Sequence, residues 1–221
     1  MTDSVILRAD VHGVCIGDDL VVLDVAADRY LCWPGAPSLS LALSPDRRRI
    51  IAGDRGLIEA LRGAGLTSPQ DVLPSRGRAE PLPPARDLMD ADDGDLKLGR
   101  SGFLRASLDA MFVYPRLGFA ELVRLGRAHT SGADPDATPS REMVALVAAF
   151  HRWACWTPAP AKCLIRSFML LRLLRRHGFD ARWVFAVRTW PFEAHCWLQA
   201  GPVVLDDAVE RLTAYHPILA V

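Results

Sequence analysis

The sequence predicts an α+β chain of two modules, and three observations carry the prediction. A proline-rich stretch without apolar period interrupts the chain after its first third; short β-like runs precede it; helical patterns and then a period of two follow it. A length of 221 residues suits the division, since compact domains hold about 100 to 150 residues each. The expected organisation is an N-terminal module at 1–74, a linker at 75–86 and a C-terminal module at 87–221.

The N-terminal module opens with the runs Val5–Leu7, Val14–Ile16 and Leu20–Asp24, separated by Asp, His and Gly, which predict a small antiparallel meander. After Pro45, the residues Ile50, Ile51, Leu57, Ile58 and Leu61 recur at helical spacing, predicting one or two amphipathic helices that end near Gly63 and Gly65. In PSRGRAEPLPPAR, Pro74, Pro81, Pro83 and Pro84 with Gly77 leave no residue period, so this linker should be extended and solvated. Beyond it, Phe103–Met111 and Glu142–His151 carry apolar stripes of helices. From Arg182 the stripe changes to Trp183, Phe185 and Val187 alternating with their neighbours, the mark of a sheet.

Charge narrows the function classes. Lys and Arg number 26, as do Asp and Glu, so no global field draws the chain to nucleic acid or to an anionic membrane. The one local basic run, Arg47 to Arg49, lies between Asp46 and Asp54 and reads as a solvated helix start. The densest apolar segment, Met143–Phe150, falls well short of the about 18 residues of a membrane span. The first residues, with Asp3, Arg8 and Asp10, lack the pattern of a signal peptide, and a cytoplasmic protein is expected. Five cysteines without paired spacing predict neither a disulfide framework nor a zinc site, and no phosphate-binding loop is present; no metal or cofactor is expected.

The chemistry concentrates late in the chain. Two prolines precede the apolar run KCLIRSFMLLRLLRRHG, and Arg175, Arg176, His177 and Gly178 close it, so Cys163 falls in the first turn of a helix. Unpaired backbone N–H groups and the positive end of the dipole favour a thiolate there, by about 0.3 to 1 kcal/mol. His195 lies in AHCWLQA, which leads through Gly201 and Pro202 into VVLDD and predicts a hairpin. A three-residue loop sets Gln199 against Val203 and His195 against Asp207; a two-residue loop sets Asp207 against Cys196 and sends its carboxylate to the other face. In the first register Cys163, His195 and Asp207 are nucleophile, base and orienting carboxylate, with Asp206 taking no part. Cys196 should face away from His195. The backbone N–H of Cys163 is the natural oxyanion donor, with a second expected from the segment before it.

The order Cys, His, Asp resembles the papain and transglutaminase fold. More narrowly, KCLIRSFMLLRLLRRHG followed by FEAHCWLQAGPVVLDD, with spacings of 32 and 12 residues, resembles the leader peptidases of lasso-peptide biosynthesis, the lasso B proteins. Cys196 stands where that family usually has alanine, and Gln199 where it often has glutamate. The resemblance implies that Cys163, His195 and Asp207 form a catalytic triad that removes a leader peptide, and that an ATP-using, asparagine-synthetase-like lasso cyclase then acts on the freed core amine. It also implies that the N-terminal module is a winged-helix-like precursor recognition element: VVLDVAADRYLCWPG is similar to the family's third strand, whose edge takes up the leader as an added strand, with Leu23, Tyr30 and Trp33 near the groove. The rival readings are a non-catalytic peptide-binding scaffold and an acyl transferase of the transglutaminase type.

Overall fold

A computed structural model describes residues 3–36, 42–43, 49–52, 54–68, 81–91, 100–128, 132–154 and 162–221. The chain divides into two compact units. The first holds Met1–Ala79 with Val187–Glu193 and His216–Leu219; the second holds Glu80–Ala186, Ala194–Tyr215 and Ala220–Val221. Two later segments group with the N-terminal residues, so neither unit is one continuous stretch.

In the first unit the strands are β1 (Asp3–Ile6), β2 (Val11–Ile16), β3 (Asp19–Asp24), β4 (Arg29–Pro34), β5 (Ala42–Leu43) and β6 (Arg49–Ala52), followed by helix α1 (Arg55–Gly63). They form two antiparallel three-stranded sheets, ordered β2-β3-β4 and β1-β6-β5. The meander therefore consists of β2, β3 and β4, whereas β1 leaves it to pair with β6, Val5 opposite Ile50. Turns between the strands decide this. Gly17 sits at φ 54° and Asp28 at φ 48°, left-handed positions that close the tight β2–β3 and β3–β4 connections.

β3 is the inner strand and is buried on both faces. Leu20 and Val22 enter a core with Val5, Leu7, Ile50, Leu57, Ile58 and Leu61, while Val21 and Leu23 are fully buried on the opposite face. The Arg8 guanidinium bonds Asp10 and the buried Asp24, which also accepts from Arg29, fastening the ends of β3 and β4. Ile50 and Ile51 belong to a strand rather than to the expected helix: Ile50 is buried and Ile51 is exposed, an alternation that suits β-branched residues. The helix begins only after Asp54, whose carboxylate accepts the Gly56 N–H at 2.8 Å, and it buries Leu57, Ile58 and Leu61. Among the described residues this unit contains one helix. Arg49 opens β6 rather than a helix, and Arg47 and Arg48 lie outside the described residues.

The elements after α1 are β7 (Arg86–Asp87), α2 (Arg100–Leu108), α3 (Phe119–Arg127), α4 (Arg141–Ala154), α5 (Cys163–Arg176), β8 (Arg182–Arg188), β9 (Glu193–Ala200), β10 (Val203–Val204), α6 (Val209–Leu212) and β11 (His216–Ala220); of these, the end of β8, Glu193 of β9 and His216–Leu219 of β11 group with the first unit and the rest form the second. Five of these strands form one sheet in the order β11-β8-β9-β10-β7. The pairing of β7 with β10 is parallel, so the end of the linker is an edge strand, and Leu88 after it is buried. Gln199 reinforces that seam by donating to the carbonyls of Leu82 and Gly201, at 2.5 and 2.7 Å. The apolar stripe expected at Phe103–Met111 ends α2 in a π turn over Asp109–Val113. α4 buries Met143, Leu146, Val147 and Phe150, and α5 buries Phe168, Leu170, Leu171, Leu173 and Leu174. Ser140 accepts the Met143 N–H at the start of α4. Gly178, at φ 79°, ends α5 by returning the Phe179 N–H to the Leu174 carbonyl. No helix among the described residues is long and apolar enough to cross a membrane.

Candidate active site

Cys163 is the first residue of α5, after Lys162 in extended conformation. Its sulfur is half-buried, and its own N–H, in the first helical turn, has no intrahelical acceptor to seek. His195 lies on β9 and is 6% exposed. Its Nε2 meets Oδ2 of Asp207 in a short hydrogen bond, which leaves Nδ1 as the nitrogen for the Cys163 sulfur, the second group that favours the charged imidazole. The ring of Tyr215 packs on the imidazole with centroids 5.1 Å apart, and Trp197 lies 6.3 Å away. Asp207 is held by a second bond, Oδ1 accepting the Ala208 N–H at 2.8 Å, with the Arg211 guanidinium 3.8 Å off.

The three groups converge by a route other than the three-residue loop. β10 pairs Val203 with Ala200 and Val204 with Gln199, so the hairpin loop is Gly201–Pro202. A ladder continued in that register would put Asp207 opposite Cys196, on the wrong face. The ladder instead stops. After Leu205 donates to the Leu198 carbonyl, Asp206 turns inward and its Oδ1 accepts the Leu198 N–H at 2.7 Å, which brings the next residue, Asp207, round to the imidazole. Asp206 is 5% exposed and also accepts from the Ser167 hydroxyl at 2.6 Å, so it is a structural member of the site.

Cys196 follows His195 on β9. Its buried thiol and its backbone N–H both favour the charged form of the Cys163 sulfur. These contacts and the imidazole hold the Cys163 thiol down to about 4: the Cys196 thiol contributes most, burial opposes it, and the bond and charge of His195 add to it. Burial works against the charged imidazole, but Asp207 and the thiolate outweigh it and raise His195 to about 9. For Asp207 too burial is overcome, by the His195 bond and the Ala208 N–H, and its carboxyl lies below the usual carboxylate range. The neighbouring thiolate, with burial, pushes Cys196 up, keeping it a thiol. Both shifts favour a thiolate beside an imidazolium near neutral pH.

Residues 104–220, more than half of the chain, match the transglutaminase-like superfamily. The chain belongs to that superfamily. Over 46 residues the chain is 44% identical to the microcin J25-processing protein McjB of Escherichia coli, a match that covers 21% of this chain and 22% of that protein. No solved structure matches the chain.

The other expected residues of this transglutaminase-like chain lie in the first unit. Leu23 is fully buried on the inner strand β3, directly opposite Tyr30, and has no free edge. Tyr30 and Trp33 are half-buried on the outer strand β4, but three positions apart they occupy opposite faces. Leu31 and Trp33 pack on the core, and the Tyr30 ring meets Phe192 with centroids 5.6 Å apart. Sequence reasoning missed Tyr215, His151 and Ser167. The signal for Ser167 was present, one polar residue four positions after Cys163 in an apolar helix. Tyr215 and His151 are brought near by tertiary packing alone. The segment expected to supply a second oxyanion donor, and with it Cys155, lies outside the described residues.

Proposed function

We propose that this chain is a cysteine peptidase that removes the leader from a lasso-peptide precursor, so that a partner, an ATP-using asparagine-synthetase-like cyclase, can act on the freed core amine. One observation carries the reading: a sulfur on the first residue of a helix is paired electrostatically with an imidazole whose Nε2 bonds a carboxylate. Membership of the transglutaminase-like superfamily and the partial likeness to the microcin J25-processing protein support it.

In the proposed reaction the Cys163 thiolate attacks the scissile carbonyl, and the oxyanion forms against the Cys163 backbone N–H. His195, already protonated, gives its proton to the leaving amine; the core departs and the leader remains as a thioester. Neutral His195 then takes a proton from water, whose oxygen attacks the thioester and restores the thiolate. Asp207 fixes the ring so that Nδ1 faces the sulfur, and it stabilises the imidazolium in both halves. No metal or cofactor takes part in these steps. β4, an outer strand, receives the leader by strand addition, with Leu23 supporting Tyr30 from the strand behind.

Acyl transfer to an amine shares the thioester and differs only in the acceptor, and the superfamily keeps it as the second reading. Incubating precursor and cyclase with wild type or Cys163→Ala, and following the products by mass spectrometry, tests both. Wild type should release a leader ending in a free carboxylate, with Cys163→Ala slower by about 10³-fold or more. Equal release by the two proteins refutes the nucleophile, and a leader ending in an amide establishes transfer.

A further inference from the structure

We infer that Asp206 is a positioning residue, a clamp that breaks the β9–β10 ladder after one bond and so selects the geometry in which Asp207 reaches His195. The inference rests on the catalytic reading above. Leu198 and Leu205 face each other in the register set by Val203 with Ala200, and an antiparallel pair in that relation exchanges two hydrogen bonds. Only one is made, from the Leu205 N–H to the Leu198 carbonyl at 2.9 Å. The Leu198 N–H goes instead to Asp206 Oδ1 at 2.7 Å, and the Leu205 carbonyl turns to accept from His151 Nε2 at 2.7 Å. Both groups that would have closed the ladder are satisfied by side chains, so stopping leaves no buried polar group unmet.

Both side chains are tied to the helix that carries Cys163. The Ser167 hydroxyl, fully buried and one turn beyond Cys163, donates to Asp206 Oδ2 at 2.6 Å. The adjacent Arg166 donates to His151 Nδ1 at 2.9 Å, which fixes the ring as the tautomer whose Nε2–H reaches Leu205. Burial, then the Arg166 charge, hold His151 down to about 4, in keeping with one proton on that ring. Asp206 therefore joins α5, β9 and the turn bearing Asp207, one element for each member of the triad. Without it the ladder can close through Leu198, and Asp207 swings toward the face of Cys196.

The test reads the thiolate directly, without substrate: the rate of Cys163 alkylation by iodoacetamide against pH, quantified on the Cys163 peptide by mass spectrometry, with circular dichroism to verify folding. Wild type should have its half-point near about 4. Ser167→Ala and Asp206→Ala should each move it up by about one unit or more, as the imidazolium loses its carboxylate. Asp206→Asn keeps a forked acceptor and donor in the same place and should stay close to wild type. A folded Ser167→Ala with the wild-type half-point overturns the clamp. So does an Asp206→Asn that shifts as far as Asp206→Ala, since the effect would then be one of charge; should neither alanine variant fold, an Asp206→Asn half-point about one unit or more above wild type overturns the clamp, and one close to wild type supports it. A wild-type half-point in the ordinary thiol range, about 8.5, sinks the catalytic reading itself and is seen before any variant is made.

Discussion

The Cys163 region of the second unit and the β4 edge of the first are built on opposite plans. Around Cys163, side chains from α4, α5, β9 and the turn after β10 bond one another or the strand backbone, so that each residue fixes the position of another. At β4 the outward resource is the backbone of an outer strand, and its side chains alternate between the core and the far face. Chemistry needs atoms placed within about 0.5 Å, whereas strand addition spreads affinity along a backbone. Single-atom changes should therefore be severe in the first region and mild in the second.

Breaking the centre is the largest expected effect. His195→Ala should lower the rate of leader release by about 10⁴-fold or more, because it removes the proton donor and the partner of the thiolate together. Asp207→Asn should cost about 10²- to 10⁴-fold, since an amide keeps the ring in place but does not stabilise its charge. Single-turnover assays with folded variants measure both, and a loss below tenfold in either removes that residue from the mechanism.

The ion pair also sets a pH window. The Cys163 thiol, held down to about 4, must be ionised, and the His195 imidazole, raised to about 9, must stay protonated. Activity should be flat between these values and fall about tenfold per unit outside them. Stability follows the same signs. The contribution of His195 is full below its ordinary value of 6.5 and is lost as pH rises through about 9; that of Cys163 is full above its ordinary 9.0 and is lost as pH falls through about 4. A profile centred on a single ionisation near 6.5 would mean that no ion pair forms.

Packing effects come next. Leu20→Ala removes a fully buried side chain from the inner strand of the meander and should destabilise the first unit by about 2 to 5 kcal/mol in denaturant titrations. A value below 1 kcal/mol would mean that this sheet relaxes around the cavity, and that β4 lacks the rigid support assumed for it.

How much of this was legible in sequence follows from how local each feature is. The helix opening at Cys163 was readable because prolines before it and Gly178 after it act on their own neighbours. The β6 strand was misread because Ile50 and Ile51 fit a helical stripe as well as an alternating one, and pairing with β1 decided between them. The hairpin register was left open between two loops for a deeper reason. The approach of His195 to Asp207 was expected from a regular ladder, whereas the actual ladder runs in the other register and is interrupted by Asp206, whose partners Ser167 and Leu198 are far apart in sequence. Regular periods carry no signal for such an interruption.

The smallest expected effect separates the two residues of β4. Trp33 faces the core of the first unit, so Trp33→Ala should act mainly on stability. Tyr30 lies on the other face beside Phe192, and a leader strand added to β4 would run past it. Tyr30→Ala should weaken binding of a fluorescently labelled leader peptide about tenfold, or 1.4 kcal/mol, the scale of one aromatic contact. Trp33→Ala should change it by less than threefold once corrected for the folded fraction. If Tyr30→Ala binds as wild type while Trp33→Ala does not, the leader approaches from the core face. If neither changes anisotropy, the leader is held elsewhere, and tolerance at β4 then reflects a surface that binds nothing.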